Sequence, residues 1–188
     1  MFLRWFPFSF LHFILFFQLS HVANLTKDCR IGEGSNNVLL VNSSRLWASL
    51  VEMARIGAFP GPEGSEGVRR EALTDEDLQS RLLLDSWASR LDLQRTIDKA
   101  GNTFYRKHGN QAKNKAVQSE AGVAPAIAIG SHLDSQPAGG RFDGAYGVLV
   151  GLEVLRSLAD IGVETDLDIE LVNWSNEEGS RFSPPMMG

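Results

Sequence analysis

Near the end of this chain a long leucine-spaced segment lies between two short apolar runs, and this order constrains the fold more than any other feature. Residues from Ala124 to Gly130 read as a fully buried strand, being short, apolar and without polar alternation. Residues from Gly144 to Ile161 read as a helix. Leu149, Leu152, Leu155 and Leu158 fall on one side of it, and Gly162 supplies the stop. Leu167 to Trp174 is a second strand. Strand, helix and strand within about fifty residues make a βαβ unit, whose strands are expected to be parallel neighbours. The fold class is therefore α/β.

The upstream segments are consistent with that class. Ser43 or Ser44 is placed to N-cap a helix over residues 45–56, with Leu46, Leu50, Met53 and Ile56 at helical spacing and Gly57 beyond it. Residues 58–72, with Pro60, Pro62 and several glycines, read as a loop. Thr74 is placed to cap a second helix whose first turn holds Asp75, Glu76 and Asp77, acids that suit the positive end of the helix dipole. Leu78, Leu82, Trp87 and Leu91 give that helix an apolar face running to about Leu93. Two short strands, Arg95 to Asp98 and Thr103 to Arg106, are expected around the turn Lys99-Ala-Gly-Asn102, followed by a polar surface loop over 107–122.

The first residues are of a different kind. Seven of the eleven phenylalanines fall within residues 1–17. Arg4 precedes an apolar run from Trp5 to Leu19, and the small and polar residues Ser20-His-Val-Ala23 follow. That is the layout of a secretory signal peptide over residues 1–23, destined for the secretory pathway, either secretion or the endoplasmic reticulum lumen. A signal anchor is the alternative. The run, interrupted by Pro7, His12 and Gln18, is shorter than the roughly 20 residues needed to span a bilayer. Residues 24–43 read as an extended polar segment leading into residues 44–188. Loss of the leader removes one base and no acid, shifting the formal net charge from −5 to −6. Without a basic stripe to neutralise phosphates, no nucleic-acid partner is expected. The single cysteine, Cys29, excludes an internal disulfide and a cysteine-ligated zinc knuckle. Asn24 and Asn42 begin glycosylation sequons near the mature start, whereas Asn173 begins one that closes an apolar run and is expected to be inaccessible.

Chemistry concentrates in the loops that follow the two strands of the βαβ unit, because ligands of open α/β sheets bind beyond the carboxyl ends of strands. The first loop contains His132, Asp134 and Asp143 among glycines 139, 140 and 144; the second contains Glu177 and Glu178. Each has a bland reading. A lone histidine is commonly a hydrogen-bonded structural residue, Asp143 could be a turn residue or helix cap, and Glu177-Glu178 could be a solvated acidic turn. Parallel neighbouring strands would bring them to one rim. An Asp134 carboxylate two residues from His132 could fix its tautomer. Adjacent glutamates after an apolar strand call for a compensating charge, and a divalent cation bound by one would leave the other free as a base. An imidazole with two carboxylates is a ligand set suited to zinc or a similar ion.

His132-Leu-Asp134, then Gly-Gly-Arg-Phe-Asp143-Gly, then Asn176-Glu-Glu-Gly-Ser-Arg-Phe182 in that order resemble the amidase, hydantoinase/carbamoylase family. The likeness extends upstream through Ala72-Leu-Thr-Asp-Glu-Asp77 and Asp98-Lys-Ala-Gly-Asn102, covering roughly residues 44–188. It implies a zinc-exopeptidase-like three-layer fold with a mostly parallel central sheet. It also implies two divalent metal ions, zinc or alternatively manganese, cobalt or nickel. Carried over, His132 binds one ion, Asp143 bridges both, Glu178 binds the other, Glu177 is the general acid/base, and Asp134 orients His132. The implied reaction is hydrolysis of linear carbon–nitrogen bonds in small N-carbamoyl or ureido substrates. The alternative is the exopeptidase or aminoacylase chemistry of related families.

The family continues for about two hundred residues past the point where this sequence stops, so the resemblance implies an N-terminal part. Two further metal-binding histidines and the inserted domain through which family members form homodimers are expected in the remainder, leaving each ion here with two protein ligands. Ser135, where threonine is usual, and the paired Pro184-Pro185 are the smaller departures. The expectation is that these 188 residues alone hydrolyse nothing measurable; a non-catalytic remnant is the further alternative.

Overall fold

The βαβ unit is laid out as its hydrophobic pattern requires. In the computed structural model, which describes residues 41–110 and 126–186, β5 (Ala126–His132) and β7 (Asp168–Trp174) are parallel neighbours with His132 opposite Trp174. Helix α3 (Ala145–Asp160) joins them and ends near Gly162, whose φ of +64° turns the chain. Leu149, Leu152, Leu155 and Leu158 are all buried. Gly151 lets α3 approach the sheet: a Cβ there would lie 2.8 Å from Leu171 and 3.0 Å from Ile129. The readings of residues 1–40, 111–125 and 187–188, including the leader, Cys29 and most of the 107–122 loop, lie outside the described residues.

The hairpin of β3 (Gln94–Ile97) and β4 (Thr103–Lys107) completes a four-stranded sheet in the order β3-β4-β7-β5. Its β5–β7 pair is parallel, and its β3–β4 and β4–β7 pairs are antiparallel, so the described part of the sheet is mixed rather than mostly parallel. The register sets Tyr105 opposite Leu171 and Leu171 opposite Ile129, so the three share one face. Helix α3 packs on that face, and Asp85 of α2 (Asp75–Ala88) accepts a hydrogen bond from the Tyr105 hydroxyl there. Helix α1 (Ser43–Met53) packs on α3, where Arg45 pairs with buried Glu153 and with Asp160. The described residues thus show one helical layer on one sheet, two of the three layers the resemblance implies. The core is formed mainly by α3, Leu50 and Met53 of α1, Leu84 and Trp87 of α2, and Tyr105, Ile169 and Leu171. Each such side chain contributes roughly 1.5–3 kcal/mol by leaving water.

Three local expectations are corrected. The cap of α1 is Asn42, whose side chain accepts from Arg45 N, rather than Ser43 or Ser44; both serines lie inside the first turn. The 58–72 segment is not all loop: β1 (Ala58–Pro60) and β2 (Glu66–Val68) pair antiparallel, and β2 pairs with β6 (Gly139–Gly140). Proline and glycine are compatible with such short strands, which the turn-former count concealed. Strand β5 was expected to be fully buried, yet it lies at the end of the strand order among the described residues and is buried fully only at His132. Thr74 does cap α2, accepting from Asp77 N, and Asn173 is buried as expected.

Candidate metal centre

The site forms where β5 and β7 end side by side. His132 closes β5 and is buried, with its side chain 8% exposed. Nδ1 lies 2.9 Å from the backbone carbonyl of Asp134. A carbonyl only accepts, so Nδ1 carries the proton and the Nε2 lone pair is left free to bind a ligand. Nε2 faces Glu177, 3.3 Å from its Oε2.

The structure alters the part expected of Asp134. Its carboxylate is 3.8 Å from Nδ1, too far for a hydrogen bond, so its backbone rather than its side chain fixes the tautomer. The fully buried carboxylate instead accepts from Glu177 N and Glu178 N, each at 3.2 Å. Asp134 therefore fastens the second loop to the first.

Gly144 is needed for two reasons. Its φ is +63°, and a Cβ there would stand 2.4–2.5 Å from three atoms of the His132 ring. Asp143, just before it, is exposed, whereas Glu178 is half-buried. Together His132, Asp143 and Glu178 offer one ligand atom each, all within 4.8 Å of one another. Glu178 Oε2 accepts from the Gln136 side chain at 2.7 Å, while Oε1 is buried and accepts no hydrogen bond among the described residues. A buried carboxylate oxygen without a donor, a free imidazole lone pair and neighbouring acids together fit a divalent cation. This group could hold a metal ion. Glu177 lies outside the trio, beside the ligating edge of the imidazole.

Sequence reasoning missed the residues behind the site. Arg70, in the stretch read as a loop, is fully buried and donates from Nε to the carbonyl of Leu133 at 3.0 Å and from NH1 to that of Ile56 at 3.2 Å. Its backbone also exchanges hydrogen bonds with Ser135, N to Oγ and O from N. Burial lowers its guanidinium pKa to about 10, against the attraction of Asp77 and Asp134. Nothing in an Arg-Arg pair within a glycine-rich stretch distinguishes the buried member from the exposed one. Gln136, which holds Glu178, was missed in the same way.

The sequence between residues 112 and 183 matches Peptidase family M28. An N-carbamoyl-L-amino-acid amidohydrolase from Rhizobium meliloti is 45% identical over 147 residues, 78% of this chain and 32% of its own length. A ureidoglycolate hydrolase from Oryza sativa subsp. japonica is 32% identical over 157 residues, 84% of this chain and 30% of its own. A hydantoinase/carbamoylase family amidase from Burkholderia ambifaria superposes with a TM-score of 0.69 at 49% identity, covering 81% of this chain and 34% of that one. The chain spans about a third of the length of these relatives. Over the third that it spans, the chain belongs to the hydantoinase/carbamoylase family of amidases.

Proposed function

We propose that this chain supplies half of a binuclear metal centre to an amidohydrolase that cleaves linear carbon–nitrogen bonds in small N-carbamoyl or ureido compounds. One observation carries the reading: the ligand atoms of His132, Asp143 and Glu178 converge within 4.8 Å, with Glu177 alongside. The names of the relatives support the substrate class. In this reading His132, through Nε2, and Glu178 would each hold an ion, and Asp143 would be a ligand to both. Bound divalent ions supply Lewis acidity and lower the pKa of water.

The chain's own residues do the remaining work. Glu177 accepts the proton of the attacking water and returns it to the leaving nitrogen, converting a poor leaving group into ammonia or an amine. The Asp134 carbonyl keeps the His132 proton on Nδ1, and the Asp134 carboxylate holds Glu177 and Glu178 by their backbone. Zinc, manganese, cobalt and nickel all suit these donors. Homodimerisation belongs to the same proposal.

Glutamine substitutions test the assignment of the two glutamates. Glu178→Gln should lower zinc affinity of the purified chain about tenfold or more, whereas Glu177→Gln should leave it within about twofold. In a chimera where residues 44–186 replace the matching third of the Rhizobium meliloti relative, Glu177→Gln should cut N-carbamoyl-amino-acid turnover at least 100-fold. Loss of zinc from Glu177→Gln with retention in Glu178→Gln would exchange their roles. The match to Peptidase family M28 favours one second reading, an exopeptidase or N-acyl substrate. Faster turnover of N-acyl or peptide substrates than of N-carbamoyl ones by the chimera would establish it. We also propose that residues 1–23 direct the chain into the secretory pathway, resting on Arg4 and the run from Trp5 to Leu19. N-terminal sequencing of the expressed protein checks this, and an intact Met1 on cytosolic material would refute it.

A further inference from the structure

The turn Asp98-Lys-Ala-Gly-Asn102 joins β3 to β4 and contributes no ligand to the metal trio. It nevertheless ends on the loop that does. Asp98 Oδ1 accepts from Ala100 N and Asn102 N, both at 2.9 Å, and Oδ2 accepts from Asn102 Nδ2 at 2.8 Å. Desolvation opposes ionisation of Asp98, but these hydrogen bonds outweigh it and hold the carboxyl below its usual range. The last of them settles which way the Asn102 amide points. With Nδ2 given to Asp98, Oδ1 faces inward and accepts the backbone N–H of Ser175 at 2.8 Å. Asn102 and Ser175 are 2% and 3% exposed, so this hydrogen bond is shielded from water.

Ser175 is gripped on its side chain as well. Arg81 NH2 donates to Ser175 Oγ at 3.3 Å, and NH1 donates to Gly101 O at 3.0 Å. Gly101 has a φ of +87°, and even a Cβ there would come within 3.3 Å of Ser175 Oγ. Two residues on, the chain reaches Glu177 and Glu178, whose N–H groups are held from the other side by Asp134. The glutamate loop is thus tied at Ser175 to the β3–β4 hairpin and at the two glutamates to the β5 loop.

We propose that Asn102 is a positioning residue for the metal centre, and that Asp98 sets the orientation of its amide. Fixing Ser175 removes backbone freedom at the root of the glutamate loop, so Glu178 meets the ion without an ordering cost at binding. The inference rests on the metal-centre reading, and its own test can fail separately.

The test titrates zinc alone into the full chain, wild type and variant, and follows amide exchange at Ser175. Asn102→Ala should weaken zinc binding about tenfold and speed Ser175 exchange, with the thermal midpoint of the metal-free chain within about 3 °C. Asp98→Asn keeps size at an exposed turn position but sets an amide donor against Asn102 Nδ2. It should produce the same two changes, more weakly. Protected Ser175 in Asn102→Ala overturns the inference, as does zinc affinity unchanged from wild type, or falling only in step with the thermal midpoint. If Asn102→Ala does not fold, Asp98→Asn is read by the same three criteria. A wild-type chain that binds no zinc sinks the metal-centre reading, whereas Ser175 exchange still decides whether Asn102 holds the loop.

Discussion

Helices α2 and α3 face the same side of one sheet and both bury polar as well as apolar side chains, yet they differ in how many leucines they leave exposed. Helix α3 turns Leu149, Leu152 and Leu155 inward and exposes little that is apolar except Tyr146. Helix α2 buries Asp77 and Ser80 together with Leu84 and Trp87, and leaves Leu78 and Leu82 more than half exposed. The difference follows from what lies beneath each. Helix α3 crosses the apolar middle of β5 and β7. The first turns of α2 lie over the polar turn that grips Ser175, and Asp77 there holds Arg81 in place through two hydrogen bonds. The first turns of a helix that supports a polar network bury polar residues, so in α2 Leu78 and Leu82 fall on the exposed face while Leu84 stays in the core.

Substitutions can break that contrast, from strong effects to weak. Leu149→Ala removes a fully buried side chain from α3 and should cost about 2–5 kcal/mol, read from urea unfolding. Asp77→Ala should cost about 3 kcal/mol, because it leaves Arg81, whose side chain is 15% exposed, without its buried partner. A cost under about 1 kcal/mol would mean that the polar face of α2 does not carry the network. At the weak end, Leu82→Ser should change stability by no more than about 0.5 kcal/mol in the same assay, since this leucine contributes little to the core. A larger loss would mean that an apolar surface covers it in solution.

Acid acts on the same network. The folded Asp98 carboxyl lies below 3.8, so its contribution to stability is complete above that value. It is lost as pH falls through the lower folded pKa. Because Asp98 is exposed, screening keeps the effect small. Ser175 exchange, corrected for its intrinsic pH dependence, should lose protection only below the ordinary carboxylate range; loss near neutrality would point to another group.

The two helices also show how far the sequence could be read. The leucines of α3 repeat at helical spacing against a sheet that the flanking apolar runs announce, so strand, helix and parallel neighbour were all legible. For α2 the same rule selected Leu78 and Leu82, because periodicity locates an apolar stripe without showing what the helix rests on. The βαβ topology made the convergence of His132, Asp143 and Glu178 foreseeable. How Asp134 is used was not, since its carbonyl and carboxylate divide two tasks that spacing cannot separate. Arg70 and Asn102 act across 63 and 73 residues, on Leu133 and Ser175, and only the folded chain brings them there.

Strand β5 ends the sheet among the described residues. Beyond β7, no strand among the described residues pairs with it, and Ala128 and Gly130 are exposed along it. Unpaired peptide groups on an apolar, uncharged strand are a template for another strand. The strand that carries the imidazole therefore also presents an unpaired edge among the described residues, and His132 closes it.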